Sequence, residues 1–219
     1  SFVYPGGILG VHAKGRGKDE IWTALKNKNV YGTSGPRILL WFDLINSPFG
    51  KVPMGSEITM SQNPKFIVKA AGSFKQNPGC SNESIDSLSP ERLEYLCVGE
   101  CYNPSNEREI IERIEIVKIT PQIYAGEAIT PLIEDPWKSI PCQGRGECSI
   151  EFEDQNFSRD SVYYVRAIQK ATPAINGAPL YERDEFKLCK GSFRTNLSDN
   201  CLSMTNERAW SSPIYVNKP

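Results

Sequence analysis

Residues 111–119 read IERIEIVKI. Ile111, Arg113, Glu115, Val117 and Ile119 alternate with Glu112, Ile114, Ile116 and Lys118, and a period of two is that of a β-strand, whose successive side chains leave opposite faces of a sheet. Isoleucine or valine falls in both sets, so neither face is polar throughout. The segment Ile110 to Thr120 is therefore expected to be a central strand in a sheet covered on both sides.

The same alternation recurs in SVYYVRAIQ, residues 161–169, where Val162, Tyr164, Arg166 and Ile168 oppose Tyr163, Val165 and Ala167. Further strands are expected at Arg37 to Ile45, Ser56 to Met60, Lys65 to Ala71, Cys148 to Glu153 and Ala209 to Val216. Seven short strands punctuated by Gly, Pro and Asn imply a mainly β chain, an antiparallel immunoglobulin-like β-sandwich. Two helices interrupt the pattern. One is expected over Asp19 to Lys28, with acids at its positive end, lysines at its negative end, and an apolar stripe of Ile21, Trp22 and Leu25. The other is expected in LSPERLEYLC, where Ser89 can cap, Pro90 suits the first helical position, and Leu93 and Leu96 share a face.

Two long insertions leave the strand pattern, Gly72 to Ile110 and Thr172 to Arg208. The first holds Cys80, Cys97 and Cys101; the second holds Cys189 and Cys201. Both exceed ordinary hairpin loops, and disulfides are the natural means of fixing loops that lack a core. Of the seven cysteines, those in the stretches PGCSN, PCQGRGECS and DNCLS lie beside Gly, Pro, Asn and Ser, which favours disulfides and an oxidising compartment over buried apolar positions. An odd count leaves one thiol over, either free or paired with a segment outside this chain. Structural zinc is disfavoured: Cys97 and Cys101 stand four apart, Cys142 and Cys148 six apart, and there is one histidine.

Twenty-five Lys and Arg against 26 Asp and Glu give a net charge of -1, with no basic block, so nucleic acid is not an expected partner. No apolar run approaches the roughly 18 residues that span a bilayer. The opening SFVYPGG carries no initiator Met, basic n-region or apolar h-region, so an export signal is expected to have been removed or to lie upstream.

Candidate chemistry is sparse. His12 is the single histidine, so a Ser-His mechanism through Ser34 in YGTSGP must use it, and no orienting partner can be named from sequence. Asp154, Asn156, Ser158 and Asp160 alternate like the start of a calcium loop, but Arg159 stands where that loop needs Gly and Val165 where it needs Glu. A polar turn is the reading that fits. The GRG stretches at 15–17 and 144–146 read as a flexible connection and as the tip of a disulfide-closed loop.

The stretches PGGILGVHAKGRGKDEIWTALKNKNVYGTSGPRI, GCSNESIDSLSPERLEYLCVGECYNP, IERIEIVKITPQ, LIEDPW, VYYVRAIQ and ERAWSSPIYV together resemble the C-terminal part of a bacterial family, the domain of unknown function 3604. Members of that family look like relatives of the PHP and amidohydrolase metal-dependent hydrolases. The resemblance implies that residues 1–35 are the tail of a barrel-like PHP domain, a short helical remnant of an upstream α/β barrel. Residues 36–219 would then form the appended β-sandwich domain with long disulfide-pinned insertions. The family's H-x-H and D-x-H ligand motifs are absent here, so no catalytic, cofactor-binding or metal-binding residue carries over. A divalent metal would belong to the upstream domain, which is also the expected partner. His12 stands where relatives carry a bulky aromatic, which implies packing. The cysteine-rich insertions resemble those of exported members and imply a periplasmic or extracellular setting.

These readings converge on a non-catalytic accessory portion of an exported metal-dependent hydrolase. The alternative is a secreted β-sandwich that binds glycan or protein through its long loops, with Trp137 or Tyr181 in an exposed aromatic cluster. Disulfides are expected at Cys142 to Cys148 and Cys189 to Cys201, with a third among Cys80, Cys97 and Cys101.

Overall fold

The computed structural model describes residues 6–97, 101–175 and 202–219. In chain order its elements are β1 (Ile8–Val11), α1 (Lys18–Lys26), β2 (Val30–Thr33), β3 (Leu39–Ser47), β4 (Gly50–Pro53), β5 (Glu57–Thr59), β6 (Lys65–Ala71), β7 (Phe74–Pro78), α2 (Asn82–Ser87), α3 (Pro90–Cys97) and β8 (Tyr102–Arg108). There follow β9 (Ile111–Ile119), β10 (Ile133–Pro141), β11 (Glu147–Glu153), β12 (Ser161–Gln169), β13 (Thr172–Ile175), β14 (Leu202–Thr205), β15 (Arg208–Ser211) and β16 (Ile214–Asn217).

The chain is mainly β, and two sheets face each other. In the larger sheet β9 lies between β10 and β12, and the far edge of β12 is shared by β15 and β16. From β15 the sheet continues antiparallel to β2 and β1, while β16 pairs in parallel with β5. The smaller sheet runs β11-β6-β3-β4, all antiparallel. The pair β7–β8 forms a separate ribbon, as does β13–β14.

Alternation explains the packing. Leu40, Phe42 and Leu44 of β3 and Phe66 and Val68 of β6 turn to one side and are wholly buried. They meet Ile114 and Ile116 of β9 and Tyr163, Val165 and Ala167 of β12, also wholly buried. Aromatic rings fill the middle: Phe66 lies 4.8 Å from Tyr163, 5.0 Å from Phe152 and 5.4 Å from Phe42, centroid to centroid. Each such ring contributes about 1.5–3 kcal/mol by leaving water.

The outer face of β9 and β12 is closed by charge rather than by another layer. Glu115 accepts from Arg113 Nε at 2.8 Å and pairs with Arg166 at 2.9 Å, and Arg166 also binds Asp135. This explains why the 111–119 segment has no simple polar face.

Two sequence expectations are refined. The strand expected over 209–216 is two strands, because Pro213 lacks the N–H a continuous ladder needs. Its carbonyl instead accepts from Gly55 N at 2.9 Å, and the chain steps from β2's neighbour to β5's. The first long insertion is an arm with its own secondary structure, β7, α2, α3 and β8, where only the second helix was expected. The helix expected at 19–28 forms over Lys18–Lys26. The boundary drawn after residue 35 falls where the chain crosses from β2 in one sheet to β3 in the other. Tyr31 of β2 belongs to the buried core.

Candidate functional site

Four groups of side chains merit chemical reading. The most buried is centred on Asp154, just after β11. Its carboxylate is 1% exposed. It accepts from Lys118 Nζ at 2.6 Å, Tyr163 Oη at 2.6 Å and the Asn156 amide at 3.0 Å. Burial pushes the carboxyl upward, but these three donors outweigh it and hold it below the ordinary carboxylate range. Burial, with the Asp154 charge added, pushes the Tyr163 phenol upward. Every oxygen of Asp154 is engaged, so the group clamps the sandwich and is not a free base. Asp160 faces elsewhere, accepting from Lys218 N at 2.7 Å, so 154–160 is a polar turn whose acids do not converge on an ion. Lys118 shares its phase with the inward Ile114 and Ile116. A charge in the inward phase was the available sequence signal for a buried partner.

The Ser34 and His12 region is a clasp. Ser34 Oγ donates to Glu207 and accepts from Arg208 N at 2.9 Å, while Ser34 N donates to Arg208 O at 3.0 Å. Its hydroxyl is spent on joining β2 to the entry of β15. His12 Nε2 donates to Leu40 O at 2.8 Å, with its ring 5.3 Å from Tyr31 and 5.8 Å from Trp41. The imidazole is a packed strut between β1 and β3.

The third group lies on α1. Only Ala24 is buried there. At 100° per residue Ile21 and Leu25 lie about 60° and 100° round from Ala24 on the same side, and Trp22 lies about 160° round, away from the sandwich; Trp22 is 57% exposed. On the neighbouring edge strand β1, Ile8 and Leu9 are exposed as well. An amphipathic helix stays folded by covering something, and here the stripe is covered at Ala24, partly exposed at Ile21 and Leu25, and open at Trp22.

The fourth group is sulfur. Cys80, at the end of β7, is bonded to Cys101, at the start of β8. Cys97 closes α3, a helix whose first turn is capped by Ser89 Oγ accepting from Arg92 N at 3.3 Å. The Cys97 thiol is free, 3.3 Å from Cys101 Sγ and 3.9 Å from Cys80 Sγ. The three sulfurs line an open cavity of about 410 Å³ together with Leu93, Glu94 and Tyr102. Among the described residues they are the one cluster with metal-ligand spacing. Elsewhere, Cys142 and Cys148 are bonded and tie the end of β10 to β11, joining the two sheets. Cys189, Cys201 and Tyr181 lie outside the described residues. Trp137 is not an exposed aromatic: it packs against Phe152 and Tyr163, 6.2 and 6.0 Å away.

Residues 2–43 match a family model described as Protein of unknown function (DUF3604). The match supports that family for this segment, which runs from the N-terminal edge of the sheet through α1 and β2 into β3. No curated protein and no solved structure matches the chain. The disulfides fit an extracytoplasmic setting. Among the described residues no helix is long and apolar enough to cross a membrane.

Proposed function

We propose that this chain is the non-catalytic C-terminal portion of an exported, metal-dependent hydrolase related to the PHP and amidohydrolase enzymes. Its role is to carry and buttress a barrel-like catalytic domain encoded upstream. The observation that supports it most is the exposed Trp22 edge of the α1 apolar stripe, with Ile21 and Leu25 partly exposed, beside the exposed Ile8 and Leu9 of β1. That face lies inside the segment matching the family model. A barrel domain packed there would cover it, and the divalent metal would sit in that domain. The periplasm or the cell exterior is the setting.

The test compares this chain, kept unreduced, with a longer one that includes the upstream sequence. The shorter chain is expected to bind neither zinc nor manganese stoichiometrically and to leave generic phosphoesters intact. The longer one is expected to bind metal and to protect α1 amides and the Trp22 ring from solvent. Stoichiometric metal on the unreduced short chain, or an α1 face equally exposed in both, defeats the reading.

A further inference from the structure

We propose that Cys80, Cys97 and Cys101 form a thiol–disulfide exchange site, in which the Cys97 thiol competes for the bond between the other two. Proximity is the first argument. Cys97 Sγ is 3.3 Å from one bonded sulfur and 3.9 Å from the other, within reach of a single side-chain rotation. The two distances are similar, so Cys97 lies beside the bridge and must rotate about χ1 to come into line for attack. Access is the second argument. The sulfurs border an open cavity and Cys97 is partly exposed, so water and small thiols can reach the three sulfurs; thiol–disulfide exchange proceeds through a thiolate. Confinement is the third: nothing in the arm from Phe74 to Arg108 is buried among its described residues, so changing the pairing disturbs no core.

The step balances without an outside oxidant. Cys97 gives its proton to solvent and its thiolate attacks Cys101 Sγ. The Cys97–Cys101 bond forms as Cys80–Cys101 breaks, and the departing electron pair leaves on Cys80 Sγ, which takes up a proton. One disulfide and one thiol are present before and after. What changes is the tether: the original bond closes a loop between residues 21 apart and ties β7 to β8, whereas the new bond joins residues four apart at the end of α3. The new pairing removes the covalent tie between the β7 end and β8, leaving the ribbon's hydrogen bonds to hold them, and presents a Cys80 thiol to the cavity. The site therefore takes thiols and disulfides as its reaction partners, and the arm can exist in a tied and an untied form.

Trypsin reads the pairing directly, because Arg92 separates Cys80 from Cys97 and Cys101. The unreduced chain is equilibrated at mildly alkaline pH with a trace of small thiol, alkylated in acid and digested. In the tied form, peptides 76–92 and 93–108 remain linked with the alkyl group on Cys97; in the untied form they separate with the group on Cys80. Both forms are expected, in proportions that shift with the time allowed before quenching. Alkylation confined to Cys97 at every time overturns the proposal. A second variant guards against a slow wild type: Cys80→Ser is expected to close a Cys97–Cys101 bond on its own. Two titratable thiols persisting at those positions in the air-oxidised, folded variant overturn it equally.

Discussion

The sandwich and the arm are held together by opposite means. In the sandwich, Phe42, Phe66 and Tyr163 are wholly buried and two sheets share one apolar core. In the arm, α2 and α3 bury no residue and every residue of β7 is exposed. One region is fixed by removing surface from water, the other by a covalent tie and a ribbon of hydrogen bonds. The difference teaches that stability here is not spread evenly. Substitutions in the core act on the whole molecule, and substitutions in the arm act on the arm.

Four experiments separate the two regions, starting with the largest effect. Phe66→Ala, which removes a ring at the centre of the aromatic cluster, is expected to cost about 4 kcal/mol in urea unfolding. A loss of under about 1 kcal/mol would mean that the core is not the organising unit. Asp154→Asn is expected to cost about 3 kcal/mol at neutral pH, because Lys118 is left charged and mostly buried. Asp154 has a folded pKa below its unfolded value. Its contribution is therefore complete above the unfolded value near 4 and is lost as pH falls through the folded one. The gap between wild type and variant should accordingly close on acidification, and a constant gap would assign the loss to packing.

In the arm, the double variant Cys80→Ser, Cys97→Ser leaves no pair to bridge. Its global unfolding free energy in urea is expected to change by less than about 0.5 kcal/mol, while tryptic cleavage after Arg92 accelerates many-fold. Global unfolding at lower urea would tie the arm to the core. The smallest effect is expected for Trp22→Ala, within about 0.5 kcal/mol in this chain. The same change in a chain carrying the proposed upstream domain should cost several times more if that face is covered.

Sequence alone revealed what local periodicity encodes. Strands β9 and β12 are legible because their alternation is strict, and α3 is legible because Ser89 and Pro90 mark its start. β7 and β8 are not, since FKQNP and YNPSNER are polar and hold their shape through pairing with each other across α2 and α3. β10 is hidden for a related reason: IEDPWKSIP contains two prolines and pairs with a register shift against β9. Among the candidate residues, the packing of His12 beside Tyr31 and Trp41 agrees with what the family resemblance implied. The engagement of Ser34 was not legible, because Glu207 lies 173 positions away. The proximity of Cys97 to the bond between Cys80 and Cys101 likewise depends on how two helices fold back, which no spacing rule conveys.

The root of the arm is built more tightly than anything it carries. Glu109 N donates to Ser73 O at 2.8 Å and Gly72 N to Gly146 O at 2.8 Å. The buried Gln169 amide oxygen accepts from both the Ser73 amide, at 3.1 Å, and its hydroxyl, at 3.0 Å. A side chain at position 72 would place its first carbon 1.9 Å from the Glu109 carbonyl oxygen, so glycine is obligatory there. The chain thus leaves the sandwich and returns to it through one closed gate, and the gate does not depend on what hangs beyond it. The arm's length and sequence can therefore change beyond this socket without altering the hydrogen bonds and the Gly72 contact that anchor it to the frame.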